Sequence, residues 1–173
     1  MLPTTADQPA AQQIPDRVDL RPPTVQDGAA LWRIARDSRT LDLNASYAYL
    51  LWCRDFARTS IVADVAGQPA GFVSGYLRPD APDTLMVWQV AVDEAHRGRG
   101  LGRRMLDELV DRQERPVGVL ETTITADNEA SINLFGSFAA GRGADVRREP
   151  LFEPGHFPDG HDAELLFRIG PLA

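Results

Sequence analysis

The stretch Trp88-Gln-Val-Ala-Val-Asp-Glu-Ala-His-Arg97-Gly-Arg-Gly100-Leu-Gly102-Arg-Arg-Met-Leu106 holds the densest chemistry in this chain. It reads as an apolar strand, a short loop and a helix that opens on glycines. The first backbone N–H groups of a helix lack intrahelical partners, and the helix dipole adds roughly half a positive charge there. Gly98, Gly100 and Gly102 have no Cβ, so the main chain turns sharply and brings those amides against a diphosphate. Arg97, Arg99, Arg103 and Arg104 set local positive charge into a chain whose net charge is −7. A dinucleotide fold would want G-x-G-x-x-G after an early strand and an acid about twenty residues on, which does not fit a turn after the fourth strand. Taken alone, a glycine turn of this kind also serves as a plain helix cap.

Acids and aromatics stand where a cationic substrate would need them. Asp42 lies in a loop between two predicted helices and is placed to pair with an ammonium group. Its alternative is to cap the second helix, a role for which Asn44 and Ser46 compete. Tyr47, one turn into that helix, faces either the same cleft or the core. Trp88 is either a wall against a substrate's methylenes or core filling. Glu121 sits mid-way along an apolar strand, where burial raises a carboxylate's pKa and makes it a proton acceptor; otherwise it is an acid on an exposed strand face. Thr122 and Thr123 read as strand formers. His156, His161 and Glu164 share a stretch with Pro and Gly too flexible for a metal site, and no metal is expected. Cys53, in an apolar helical segment, reads as a buried structural thiol rather than a nucleophile. Arg147 and Arg148 read as a solvated strand edge.

These residues must be held by one domain, since 173 residues leave no room for a second. All 18 basic residues are arginine, which excludes a P-loop lysine and a Schiff-base lysine. The single cysteine excludes an internal disulfide. The acidic balance disfavours nucleic acid, and no apolar run is long enough for a membrane span. Residues 1–15 read as a disordered polar tail without the features of a secretory signal, which points to the cytoplasm. Strands are predicted over Val18–Arg21, Ser60–Val65, Ala70–Leu77, Leu85–Val92, Val117–Thr125, Ala144–Glu149 and Ala163–Ile169. Helices are predicted over Val25–Asp37, Ala45–Phe56, the stretch from Leu101 to Val110, and Asn128–Ala140. Gly67-Gln68-Pro69 reads as a hairpin turn and Asp80–Asp83 as a loop. The order implies a mixed sheet with helices on both faces.

The segment from Val90 through Arg97-x-x-Gly100-x-Gly102 resembles the acetyl-CoA motif of the Gcn5-related N-acetyltransferases (GNAT), and the predicted element order is similar to that fold. The resemblance implies an α/β (α+β) domain over residues 16–173, a mixed central sheet of about seven strands with about four helices on both faces. It implies cofactor contacts from Val90, Ala91, Val92, Arg97, Gly98, Arg99, Gly100, Leu101 and Gly102, with Asn128 on the pantetheine arm and the cofactor wedged where the Val90 and Val117 strands splay apart. Many members carry a Tyr, which protonates the departing thiolate, where this chain has Phe135; Phe cannot. Within the family, Leu41-Asp-Leu-Asn-Ala-Ser-Tyr-Ala-Tyr-Leu-Leu51, Val87-Trp-Gln-Val-Ala-Val92, Leu120-Glu-Thr-Thr-Ile124 and Asn128-Glu-Ala-Ser131 are similar to the diaminobutyrate acetyltransferase branch of ectoine biosynthesis, from about Val18 to Pro171. That implies a homodimer using acetyl-CoA as co-substrate to acetylate the γ-amine of a small diamino acid. Asp42, Asn44, Trp88, His161 and Glu164 would touch the substrate, and Glu121 and Tyr47 would be catalytic. The rivals are a same-fold enzyme acting on a peptide N-terminus or an aminoglycoside, and a noncatalytic acetyl-CoA-binding module, for which Phe135 is the best argument.

Overall fold

Runs of alternating and β-branched residues become the strands of one sheet, and the 3.6-residue stripes become helices laid against it. The structure, a computed structural model, describes residues 17–172; the expected disorder of residues 1–15 lies outside them. In chain order the elements are β1 (Val18–Arg21), α1 (Gly28–Ser38), α2 (Ser46–Asp55), β2 (Ile61–Val65), β3 (Gln68–Arg78), β4 (Ala81–Val92), α3 (Leu101–Asp111), β5 (Val119–Thr125), α4 (Glu129–Arg142), β6 (Asp145–Phe152) and β7 (Glu164–Gly170). The strands lie in the order β1-β2-β3-β4-β5-β7-β6. All neighbours are antiparallel except β4 and β5, which α3 joins as a parallel pair. The sequence predicts this order of elements and this mixed sheet.

Each face has its own core. Met105, Leu106 and Leu109 of α3 and Phe135 and Phe138 of α4 pack on Leu85, Val87, Leu120 and Phe167. Leu31, Ile34 and Ala35 of α1 with Tyr49 and Cys53 of α2 pack on Val62, Phe72 and Ala91. Each of the Leu, Ile, Val, Met and Phe side chains among them contributes about 1.5–3 kcal/mol by leaving water. On α2, Tyr49 and Cys53, one turn apart, face the core, whereas Tyr47, Leu50 and Phe56 are exposed, so Tyr47 is not core. Burial pushes the Cys53 thiol up to about 11, so it packs as a small apolar group.

Two turns also differ from expectation. Ala66 and Gly67, both at positive φ, make a two-residue hairpin turn, so Gln68 and Pro69 already belong to β3. The expected loop Asp80–Asp83 is mostly strand. β4 meets β5 only from Thr84 onward, so Pro82 lies where a missing N–H costs little. Arg21 ties β1 to the first helical turn and to β2 through Asp27 and Asp64, at 2.8 and 3.0 Å.

The register of β4 against β3 shifts at one residue. Ser74 pairs with Gln89 but Gly75 pairs with Val87, so Trp88 is an inserted bulge residue. Gly75 permits the kink, since a Cβ there would stand 2.7 Å from the Met86 carbonyl oxygen. Before the bulge Leu85 and Val87 face α3 and α4; after it Val90 and Val92 do, and Ala91 faces α1 and α2. The bulge therefore turns Trp88 and Gln89 together onto the α2 side.

Candidate active site

Pairing between β4 and β5 runs from Thr84–Val119 to Val87–Thr122 and stops, although both strands continue. Past the bulge the sheet opens as a wedge. Asp93 N–H bonds the Ala70 carbonyl on the β3 side, while Arg97 Nε donates to the Val92 carbonyl from the other side at 3.0 Å. By the two-residue alternation of a strand, Val90 and Val92 point their N–H and C=O groups into the wedge, and Ala91 points its own away.

At one end of the wedge stands the glycine turn. Gly98 and Gly100 have φ of +74° and +71°, the left-handed region that side chains disfavour. A Cβ at either would meet nothing within 4 Å. The open space above them is where an incoming group would approach the uncapped N-terminus of α3. Val90, Ala91, Val92, Arg97, Gly102 and Asn128 line a groove of about 240 Å³ leading away from this turn. Leu101 packs its side chain into the core and offers the turn only its backbone. Arg103 bridges α3 to α4 through Asp107 at 2.6 Å and the Ser137 carbonyl, so its charge is not part of the phosphate site. An uncapped helix mouth under open glycines fits a coenzyme diphosphate.

The groove continues into a cleft of about 270 Å³, with Val90, Asn128 and Ser131 common to both. Asn128 caps α4 by accepting the Ser131 N–H on its Oδ1 at 3.1 Å, which leaves its amide nitrogen for a ligand. Asp42, Asn44, Trp88, His161 and Glu164 all line the cleft, so the structure brings together every residue assigned to the substrate. Asp42 is not a cap: α2 begins after Ala45, and neither Asn44 nor Ser46 caps it with a side chain. Trp88 packs tilted against Trp52, with ring centroids 4.4 Å apart, and is 42% exposed.

His161 joins the acids. Its Nε2 lies 3.0 Å from Asp42 Oδ2 and 3.6 Å from Glu164 Oε1, and its Nδ1 lies 2.7 Å from the Asp162 carbonyl oxygen. All these partners only accept, an arrangement the doubly protonated ring satisfies. The hydrogen bond to Asp162, then the Asp42 and Glu164 charges, hold the imidazole above its usual 6.5. Desolvation pushes the Glu164 carboxyl above its usual 4.5, against a hydrogen bond from Thr123. Glu164 Oε2 is buried without a hydrogen-bond partner.

Glu121 and Tyr47 do not join this constellation. Glu121 is only 2% exposed, but its carboxylate is clamped between Arg78, at 3.1 Å, and Arg168, and it does not line the cleft. Cross-strand pairing with Arg168 makes it a structural charge. Tyr47 is 66% exposed on the outward side of α2 and is also absent from the cleft lining. Phe135 does line the cleft, with no proton to give. Sequence reasoning passed over Gln89, Thr123 and Ser131, which also line the cleft; the polar break that Gln89 makes in an apolar strand was the available signal. Among the described residues, no group of three or more His, Cys, Asp or Glu side chains is arranged to hold a metal ion.

The acetyltransferase (GNAT) family model matches residues 28–139. An L-2,4-diaminobutyric acid acetyltransferase of Streptomyces coelicolor is 63% identical over 155 residues, covering 87% of this chain and 91% of that protein. Another, from Marinococcus halophilus, is 44% identical and covers 91% and 92%. The solved structure of the diaminobutyrate acetyltransferase EctA from Paenibacillus lautus, in complex with its substrate L-2,4-diaminobutyric acid and coenzyme A, superposes with a TM-score of 0.85. It is 38% identical over 90% of this chain and 96% of that one.

Proposed function

The chain belongs to the acetyltransferase (GNAT) family, and from that premise we propose that it transfers acetyl from acetyl-CoA to the γ-amine of L-2,4-diaminobutyrate, giving N-γ-acetyl-diaminobutyrate. One observation carries the choice of substrate. The cleft gathers two carboxylates and one imidazolium, Asp42, Glu164 and His161, and a diamino acid carries two ammonium groups and one carboxylate. An aminoglycoside would bring cations alone and leave His161 opposed.

Acetyl-CoA supplies the acyl group as a thioester. The chain must desolvate an ammonium whose pKa is about 10, remove one proton and hold the free amine in place. Asp42 and Glu164 take the two ammonium charges. Glu164 Oε2, buried, unpartnered and of raised pKa, accepts the proton. Val90 N–H donates to the carbonyl oxygen that gains charge. Gly98, Gly100 and the mouth of α3 hold the diphosphate, and Trp88 walls the methylenes.

We further infer a cytoplasmic homodimer serving ectoine biosynthesis. Acetyl-CoA is a cytoplasmic metabolite, and the edge strand β6 has all eight residues exposed, Val146, Leu151 and Phe152 among them, which suits a second copy. Incubation with acetyl-CoA and a panel of amines, with the γ and α isomers resolved by NMR, tests the reaction. Release of free thiol with diaminobutyrate and the γ isomer as product are expected; no thiol release with diaminobutyrate would refute it.

A further inference from the structure

Gln89 interrupts an apolar strand, and acetyl transfer as described above gives it no part. It is 5% exposed. The Trp88 bulge turns it toward α2, where its amide stands between two partners. Its Oε1 accepts the Tyr49 hydroxyl at 3.1 Å, and its Nε2 donates to the Asp42 carbonyl oxygen at 2.8 Å. A backbone carbonyl only accepts, so the amide nitrogen must face Asp42, and the oxygen is then left for Tyr49. The cavity beside the pair, lined by Tyr49, Trp52, Ser74 and Trp88, holds about 10 Å³, room for roughly one water, so bulk solvent does not compete for the buried bond to Tyr49.

Apart from the contact of the Asp42 side chain with His161, the loop gripped by Gln89 is lightly held. The Asp42 side chain is 82% exposed, α2 starts without a side-chain cap, and the Asn44 amide reaches the Asp42 carbonyl only at 3.5 Å. Gln89 and Val90 are consecutive residues on β4. The reach of one side chain therefore sets the distance from the strand edge that meets the thioester to the loop that meets the diamine.

We propose that Gln89 is a positioning residue: its amide, oriented by Tyr49, holds the Asp42 carboxylate at a set height above the Val90 edge and so fits the cleft to the length of diaminobutyrate. This rests on the substrate reading above. Gln89→Met keeps the length and bulk of the side chain and removes both hydrogen bonds. The KM for diaminobutyrate should rise about tenfold, while kcat and the KM for acetyl-CoA stay within about twofold. The preference for diaminobutyrate over ornithine, one methylene longer, should narrow about threefold. The His161 ring, faced by the Asp42 and Glu164 carboxylates and the Phe157 ring, should titrate lower by NMR as Asp42 drifts away. Tyr49→Phe should act in the same direction and more weakly, and the double variant should be no worse than Gln89→Met.

Unchanged diaminobutyrate KM and an unchanged His161 titration overturn the proposal, as do equal losses for both substrates. Should Gln89→Met fail to fold, Tyr49→Phe decides by the same readouts. A wild-type protein that leaves diaminobutyrate unacetylated sinks the function but not this test, because the His161 titration needs no substrate.

Discussion

Glu121 and Glu164 lie on the same side of the β5–β7 ladder, four residues apart along it: Glu121 sits opposite Arg168, and Glu164 sits opposite Thr125. Glu121 is shut off from water, and Glu164 keeps 17% of its side chain exposed. One is closed on both sides by guanidinium groups, and the other keeps a buried oxygen without a partner and a histidine beside it. A carboxylate already neutralised by arginines holds strands together and has nothing left to offer a substrate. A carboxylate buried short of partners is an unfavourable arrangement for the empty protein, and a cationic ligand relieves it.

Removing the open pole should cost the most. Glu164→Gln is expected to lower kcat/KM for diaminobutyrate about 10³-fold, the range for losing a general base, with the melting temperature held or raised. Steady-state kinetics beside thermal unfolding check this, and a loss under about tenfold would erase the distinction between the two glutamates. Glu121→Gln is the mirror experiment. It should lower stability by about 2 kcal/mol, less than for a fully buried pair because Arg78 and Arg168 are half-exposed and recover water. Denaturant unfolding reads that loss, and the KM for diaminobutyrate should not move. Asp42→Asn should raise that KM about tenfold, near 1.4 kcal/mol, with acetyl-CoA affinity unchanged by calorimetry.

The smallest effect is in pH. His161 and Glu164 both have raised pKa values, so their contributions to stability are present below about 6.5 and 4.5 and fade as pH climbs through the folded values. Asp27, held below 3.8 by its hydrogen bond from Arg21, behaves oppositely: its contribution is present above 3.8 and fades as pH falls. Melting temperatures of His161→Gln and Asp27→Asn across pH should flatten the curve in separate windows, upward from about 6.5 for the first and downward from about 3.8 for the second. Flattening in one shared window would break the contrast between closed and open charges.

The sequence made the scaffold readable because its signals are local. The α3 stripe of Leu101, Met105, Leu106, Leu109 and Val110 is buried as spaced. The glycine turn also declares itself by composition. Glu121 misled for a physical reason: its burial follows from the apolar strand around it, but its arginine partners come from strands β3 and β7, which no window around residue 121 contains. The sequence leaves Tyr47 open between cleft and core because α2 is apolar on several sides, so periodicity does not say that Tyr49 is the tyrosine that turns inward. Asp42, His161 and Glu164 are separately visible, but only the family resemblance brings them to one substrate, because no local window spans the 119 residues between Asp42 and His161.

The inserted Trp88 makes β4 intolerant of a kind of change that loops absorb freely. Inserting a further residue between Val87 and Gln89, where the bulge already holds one extra, would act as a frameshift in three dimensions. Every amino acid from Gln89 to Val92 would exchange sides, Ala91 would offer its amide to the wedge in place of Val90, and the glutamine would be driven into oil. Insertions among functional variants of this protein should therefore stop short of those few positions, however freely their identities drift.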